Sequence, residues 1–343
     1  MGARSIAIVG GGLAGLSLGI ALRQRGVPTT VMEAGSYPRH KVCGEFLSGV
    51  SRDTLEALGI DDLFGDAPLH RLVIWRLGER SFRRDRLPVA ASGLSRFALD
   101  ARLAARFEEV GGELRLRERR GRERRAAPGW VWAAGRQGER TPWVGLKAHF
   151  EGLRLEGDLE LRLGGGAYVG ASAVEGGRVN VCGLFRERPA GGTSRTSALL
   201  DYLRHSGLEA FADRLEQTAM DAASARSVAA LAFSRLPPRQ ARGSLAIGDA
   251  FATIPPFTGN GMSLALESAA EALPFVLGYS RGSLSWAEAC DLARRALRRR
   301  FGPRLRLARA LHPWIHRPGG QRLFRSLSRV RLVPFGPLFR ALR

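Results

Sequence analysis

The chain has 343 residues, 45% of them hydrophobic, which allows a sizeable core in one large or two interleaved domains. No apolar run reaches the ~20 residues of a membrane-spanning helix, and three widely spaced cysteines (Cys43, Cys182, Cys290) without a C-x-x-C pair argue against a disulfide framework or a metal site and for a reducing, cytoplasmic setting. The net charge of +21 is carried by arginine, with Lys41 and Lys147 the only lysines, and no nucleic-acid recognition motif accompanies it.

Residues 5–9 form a short apolar run with strand character. Gly10-Gly11-Gly12-Leu13-Ala14-Gly15 follows and satisfies G-x-G-x-x-G at Gly10, Gly12 and Gly15. Residues 16–25 have helical spacing, with Leu16, Ile20 and Leu22 apolar, and Gly26 is placed to end the helix. Residues 29–32 read as a second strand with Glu33 at its end. Strand, glycines, helix, strand and acid in this order make a βαβ dinucleotide-binding unit. Gly10 permits the tight turn, Gly12 lets a pyrophosphate approach the backbone, and Gly15 lets helix and strand pack closely. The helix N-terminus offers N–H groups to phosphate, and Glu33 stands where a carboxylate accepts hydrogen bonds from a ribose. Gly10, Gly12, Ala14, Gly15 and Glu33 are the candidate cofactor contacts of this unit. No basic leader precedes it, which sets aside a secretion signal.

Pro38-Arg39-His40-Lys41-Val42-Cys43-Gly44-Glu45 then mixes cations, a thiol and an acid in a short loop. Ser51 caps a helix to about Leu58, and residues 72–75 and 80–84 read as strands around Gly78-Glu79. Residues 88–93 read as a loop. Ser95-Arg96 opens a helix with Leu99, Leu103, Ala104 and Phe107 on one face, and Leu114 and Leu116 suggest a strand returning to the nucleotide sheet. The charged run 117–125 reads as an exposed turn, and 130–136 as a strand ending in a glycine turn. Residues 143–150, 159–163, 168–174 and 179–185 are short strands separated by glycine-rich turns, with Gly176-Gly177 a hairpin signal, so an antiparallel sheet is expected in a second domain. Helices follow at 197–205 and 209–216, then a strand at 225–233 returning toward the first domain. Residues 245–250 are strand then turn, and a helix starting near Ser263 runs until Pro274. The remainder is helical and basic, broken at Pro303, Pro313, Pro318, Pro334 and Pro337. The division expected is 1–70, 94–142 and 235–290 for nucleotide binding, 71–93 and 143–234 for substrate, and 291–343 as a basic helical region.

Three separated segments, 10–33, 130–136 and 245–262, together resemble the FAD-dependent oxidoreductases of the p-hydroxybenzoate hydroxylase fold. The loop 38–45 is similar to the K-x-C-G-E stretch of the geranylgeranyl reductase branch. The resemblance implies an α/β protein: a Rossmann-like FAD-binding domain with an interleaved antiparallel substrate sheet. It also assigns roles. Asp249, after Gly248, accepts hydrogen bonds from the ribityl chain. Gly259-Asn260-Gly261-Met262 puts N–H groups and a helix N-terminus at the flavin pyrimidine edge, stabilising the reduced flavin's negative charge. Pro255 and Pro256 wall the ring. Arg96 reaches the FAD or, alternatively, faces solvent. Gly135 is a cofactor contact, while Ala134 stands where the family often has an Asp. Arg39, Lys41 and Cys43 are the candidates for chemistry. Cys43 either donates a proton from a thiol of lowered pKa or packs, with Glu45 then pairing with Arg39 or Lys41. Lys147 is chosen for its compact ammonium or stands by chance, and His149 reads as a satisfied sheet residue.

The W-x-W-x-I-P stretch of flavin halogenases is missing, which disfavours halogenation. The Y-x-W-x-F-P stretch of prenyl reductases is missing too, which weakens that reading. The first expectation is a monooxygenase that uses FAD and NAD(P)H to hydroxylate or epoxidise an apolar or aromatic substrate. The second is a C=C reductase of a prenyl or polyketide chain. The third is a carrier-protein-associated or non-catalytic flavoprotein. From Arg294 to Arg343 there are fifteen arginines and no Asp or Glu, interleaved with Leu305, Leu307, Leu311, Trp314, Phe324 and Leu327. That segment either meets an anionic membrane face or an acidic carrier protein, or forms a terminal helical layer over the core.

Overall fold

A computed structural model describes residues 2–121, 127–135, 141–186, 195–229, 243–329 and 332–342. The expected βαβ unit is formed by β1 (Ile6–Val9), α1 (Leu13–Arg23) and β2 (Thr29–Glu33). It continues with β3 (Phe46–Leu47), α2 (Arg52–Leu58), β4 (Leu69–Leu77), β5 (Arg80–Gly93), α3 (Arg96–Glu109), β6 (Glu113–Leu116) and β7 (Trp130–Trp132). Next come β8 (Trp143–Glu151), β9 (Leu159–Gly164), β10 (Ala167–Ala173), β11 (Val179–Arg186), α4 (Arg195–His205), α5 (Glu209–Glu216) and β12 (Ala219–Val228). The chain ends with β13 (Leu245–Ala246), α6 (Gly261–Ser280), α7 (Trp286–His316), α8 (Pro318–Arg329) and α9 (Phe335–Ala341).

Two sheets organise these elements. The first is parallel, in the order β13-β7-β1-β2-β6. Its core joins α1, α3, α6 and α7 through Leu16, Leu18, Phe107, Leu266 and Leu297, all fully buried. The second sheet has eight strands in the order β12-β8-β11-β10-β9-β4-β5-β3. It is mixed rather than antiparallel, because β4 and β9 pair in parallel. Phe46 and Leu47, expected with the nucleotide-binding unit, pair with β5 in this sheet. β12, which contains the start of the strand expected at 225–233, pairs antiparallel with β8 at the edge of this sheet. The rest of that expected strand, 230–233, lies outside the described residues, as do 122–125 of the charged run and Arg136.

The strand period of two decides what each face of the second sheet meets. In β8, Leu146, Ala148 and Phe150 point into a core with α4 and α5 through Leu199, Leu203 and Phe211. Lys147 and His149 therefore point to the other face, toward the loop 38–45. On that face Val73, Trp75, Leu161, Leu163 and Tyr168 cluster with Phe257 and Ile315.

Prolines explain most of the boundary differences. Residues 88–93, expected as a loop, belong to β5. Between Arg86 and Ala91 the register with β4 shifts, so Pro88 sits where no ladder N–H is needed. α6 continues past Pro274, and α7 continues past Pro303 and Pro313. All three prolines lie on exposed helix faces, while the opposite faces stay buried. Pro318 starts α8 and Pro334 caps α9, so both lie at helix boundaries as expected; Pro337 falls in the first turn of α9.

Candidate functional site

The glycines of the first turn separate by what a Cβ would meet. At Gly10 (φ +108°) it would lie 2.4 Å from the Ala133 carbonyl oxygen, and at Gly15 it would lie 2.0 Å from the Gly10 carbonyl oxygen. These two glycines let strand, turn and helix touch. At Gly12 the nearest atom is Arg96 Nη2, 4.0 Å away, so the space over that residue is open. Gly12 is also the N-cap of α1, with no side-chain cap bond and no acid in the first turn. The N–H groups of that helix end face the opening with their dipole uncompensated.

Glu33 sits beside them. Its carboxylate accepts hydrogen bonds from Gly11 N–H (2.8 Å) and Gly35 N–H (2.9 Å) and pairs with Arg39 Nη2 at 2.7 Å. The Tyr37 hydroxyl donates to the Gly11 carbonyl. Arg96 is not a solvent-facing first-turn residue. It grips Asp100, one turn on, with two bonds of 2.7 and 2.9 Å, and Lys41 Nζ reaches the same carboxylate at 2.6 Å. Asp100 is fully buried.

A second buried cluster lies behind the loop 38–45. Glu45, at φ +53°, accepts from Lys147 Nζ and pairs with His149 Nε2, both at 2.6 Å, and its Oε1 also takes the Arg96 N–H at 2.9 Å. Lys147 Nζ and His149 Nε2 lie 2.9 Å apart. None of these three side chains is exposed to solvent. The sequence-level pairing of Glu45 with Arg39 or Lys41 is thus replaced: Arg39 takes Glu33, Lys41 takes Asp100, and Glu45 takes the strand residues. His40 packs edge-on to His149 and stacks on Phe97. Burial, with Lys147 and His149 nearby, lowers its pKa to about 4. Cys43 departs from expectation in sign, because burial pushes its thiol up rather than down.

Of the residues singled out in the sequence, Gly10, Gly12, Ala14, Glu33, Arg39, Lys41, Cys43, Arg96, Gly135, Gly248, Asp249, Pro256, Gly259, Gly261 and Met262 border one cavity of about 1500 Å³. Gly15 and Asn260 do not. Gly15 is a packing position, and Asn260 is buried with its side-chain amide donating to the Leu342 carbonyl. Asp249 is exposed into the cavity, and nothing lies within 4 Å of a Cβ built on Gly261, at the start of α6. Pro255 faces away from the cavity, beside Trp143 and His312. Sequence reasoning missed the Glu45–Lys147–His149 cluster. The signal available was two polar residues alternating on one strand, one of them a rare lysine. It also missed Asp100, which the i, i+4 spacing from Arg96 could have given.

The cavity has two ends. One is polar, between the N-termini of α1 and α6. The other is apolar, between the second sheet (Val73, Leu161, Tyr168) and the C-terminal helices (Ile315, Phe324, Phe339). The polar end fits FAD. It offers open space over Gly12 and Gly261, two uncapped helix N-termini, and carboxylates at Glu33 and Asp249. The volume exceeds the ~300–1,000 Å³ of an ordinary small-molecule pocket, leaving room for a substrate beside a cofactor. Among the described residues no group of three or more His, Cys, Asp or Glu is arranged to hold a metal.

The three buried carboxylates carry a pH dependence. Burial alone would raise their pKa values, but Arg39 with two backbone N–H groups, His149 with Lys147, and Arg96 with Lys41 hold Glu33, Glu45 and Asp100 below their ordinary 4.5, 4.5 and 3.8. A folded-state pKa below the unfolded one stabilises fully above the unfolded value and loses that contribution as pH falls through the folded one. Unfolding midpoints in urea are therefore expected to hold from neutral pH down to about 5 and to fall steeply below about 4.5. A flat profile through that window would contradict the three pairings.

Residues 4–107 match the family described as FAD binding domain. No curated protein sequence matches the chain. Among solved structures, the chain is similar to HpxO of Klebsiella pneumoniae, complexed with FAD and uric acid, at 18% identity and a TM-score of 0.75, covering 98% of this chain and 95% of that one. It is similar to the p-nitrophenol 4-monooxygenase PnpA of Pseudomonas putida at 15% identity and a TM-score of 0.74, covering 99% and 96%. It is also similar to the myxobacterial chondrochloren halogenase CndH at 18% identity and a TM-score of 0.69, covering 99% and 93%. The chain shares the overall fold of these structures, and its residues 4–107 match an FAD binding domain.

Proposed function

We propose that this chain is an FAD-dependent oxidoreductase, and more narrowly a monooxygenase that hydroxylates or epoxidises an apolar or aromatic small molecule. The observation that carries this reading is the single cavity, which joins the polar end beside α1 to an apolar chamber. When bound, FAD supplies the electron transfer and oxygen activation, with NAD(P)H as the proposed reductant. The chain's own residues do the rest. Glu33 would hold a ribose and Asp249 the ribityl chain, and the N–H groups at the N-terminus of α6 would stabilise negative charge on the bound cofactor. Val73, Leu161, Phe257 and Ile315 bury the substrate and exclude water. Tyr168, whose pKa burial raises, stays neutral and offers an O–H donor to the substrate.

A second reading, a C=C reductase, is favoured by one observation. Cys43 borders the cavity with a thiol that burial keeps protonated, as a proton donor requires. Oxygen separates the two readings. With NAD(P)H and a panel of aromatic and unsaturated apolar compounds, a monooxygenase forms product only in air. Reduced product formed under argon would overturn the first reading and support the second.

A further inference from the structure

We infer that the mouth of the cavity docks on an anionic lipid surface, from which the substrate enters. The inference rests on the proposed apolar substrate only for its purpose; the surface itself is a matter of which side chains meet the solvent.

Two large apolar side chains are both exposed and part of the cavity wall: Trp314 near the end of α7, at 53% exposure, and Leu323 on α8, at 43%. Behind them Leu311, Phe324 and Leu327 continue the same wall inward. The two helices meet closely at this rim, since a Cβ on Gly320 would lie 2.2 Å from the Trp314 carbonyl oxygen. The cavity wall thus includes an apolar, solvent-accessible lip held on two packed helices.

Positive charge accompanies these helices. Arg317 follows Trp314 at the end of α7, Arg322 precedes Leu323 on α8, and Arg340 lies on α9; all three are exposed, and among the described residues none of them is in an ion pair. Other arginines of this segment do find acids, as Arg300 and Arg304 do in Glu267, so these three are set apart by having no such pair. An acidic protein could answer the charges, but it would leave an exposed indole and leucine without a hydrocarbon partner. A bilayer of anionic lipid answers both. Headgroup phosphates attract the arginines, whose stems lie along apolar surface. Trp314 takes the interfacial position that indole favours. The hydrocarbon dissolves the compound that the cavity accepts. Contact is at the surface, for among the described residues no helix is long and apolar enough to cross a membrane.

The test uses the full chain loaded with FAD and vesicles of phosphatidylcholine, with or without phosphatidylglycerol. Sedimentation with the anionic vesicles alone is expected, weakening as salt is raised. Replacing Arg317, Arg322 and Arg340 by Gln should lower the partition about fivefold per charge. Trp314→Ser with Leu323→Ser should lower it as well, with bound flavin unchanged in both variants. The inference is overturned if the wild type stays in the supernatant, if either variant partitions like the wild type, or if an acidic carrier protein binds the chain while vesicles do not. Sedimentation needs no turnover, so its failure and a failure of the oxygen test are read separately.

Discussion

Glu45→Gln is expected to destabilise the fold by about 3–5 kcal/mol, as removal of one member of a buried ion pair does. The carboxylate of Glu45 faces Lys147 and His149 at 2.6 Å in a space closed to solvent. Gln keeps the shape and can still accept the Arg96 N–H, so the loss isolates the charge. It leaves a buried lysine without its counter-charge and its best acceptor. The consequence is local as well as global. Glu45 holds a positive φ of 53°, a conformation that its three partners stabilise. Losing the charge loosens the segment that carries Lys41 and Cys43 to the cavity. Denaturant unfolding measures the effect, and adding Lys147→Met should recover part of it, because the desolvated cation is then gone. A loss below about 1 kcal/mol, in the range of an exposed pair, would show that the cluster is open to water.

What the sequence makes legible here is what lies close along the chain. The βαβ unit is read from residues 5–33 because strand, turn, helix and acid are consecutive. The tight turn, moreover, demands glycine at Gly10 and Gly15 through contacts that no side chain could share. The strands of the second sheet show in their alternation, and α2 and α3 in their serine caps. The contacts that assemble the site are long-range. Glu45 meets Lys147 and His149 from more than 100 positions away, and nothing in the spacing of the loop 38–45 distinguishes those partners from Arg39 and Lys41. The same holds for pairing direction, since β4 and β9 are parallel although each reads as an ordinary short strand. Proline does not break every helix that it enters. Pro274, Pro303 and Pro313 stay inside helices because burial of the opposite faces outweighs the one hydrogen bond that each proline removes. The arginine-rich end, ambiguous as a sequence, walls the cavity with its apolar side chains and carries exposed arginines.

Gly12→Val is expected to leave the fold intact and to lower FAD affinity by at least about a hundredfold. The backbone at Gly12 is extended (φ −93°, ψ −171°), which valine adopts readily, and no protein atom lies closer than 4.0 Å to its Cβ. The new Cβ would project into the open space over the N-terminus of α1, carrying its methyl groups with it. If phosphate lies there, it is pushed from the N–H groups, and two charge-assisted hydrogen bonds at ~1.5–3 kcal/mol each are lost. Gly15→Ala would not separate these effects, since its Cβ would collide with the turn itself.

Titration of the purified chain with FAD, followed by flavin fluorescence, puts the central claim to the most direct test. The wild type should saturate with the cofactor, and Gly12→Val, unfolding at the same denaturant concentration as the wild-type apoprotein, should not. A wild-type chain that leaves free flavin unchanged at every concentration, or a valine variant that binds it equally well, would contradict the account.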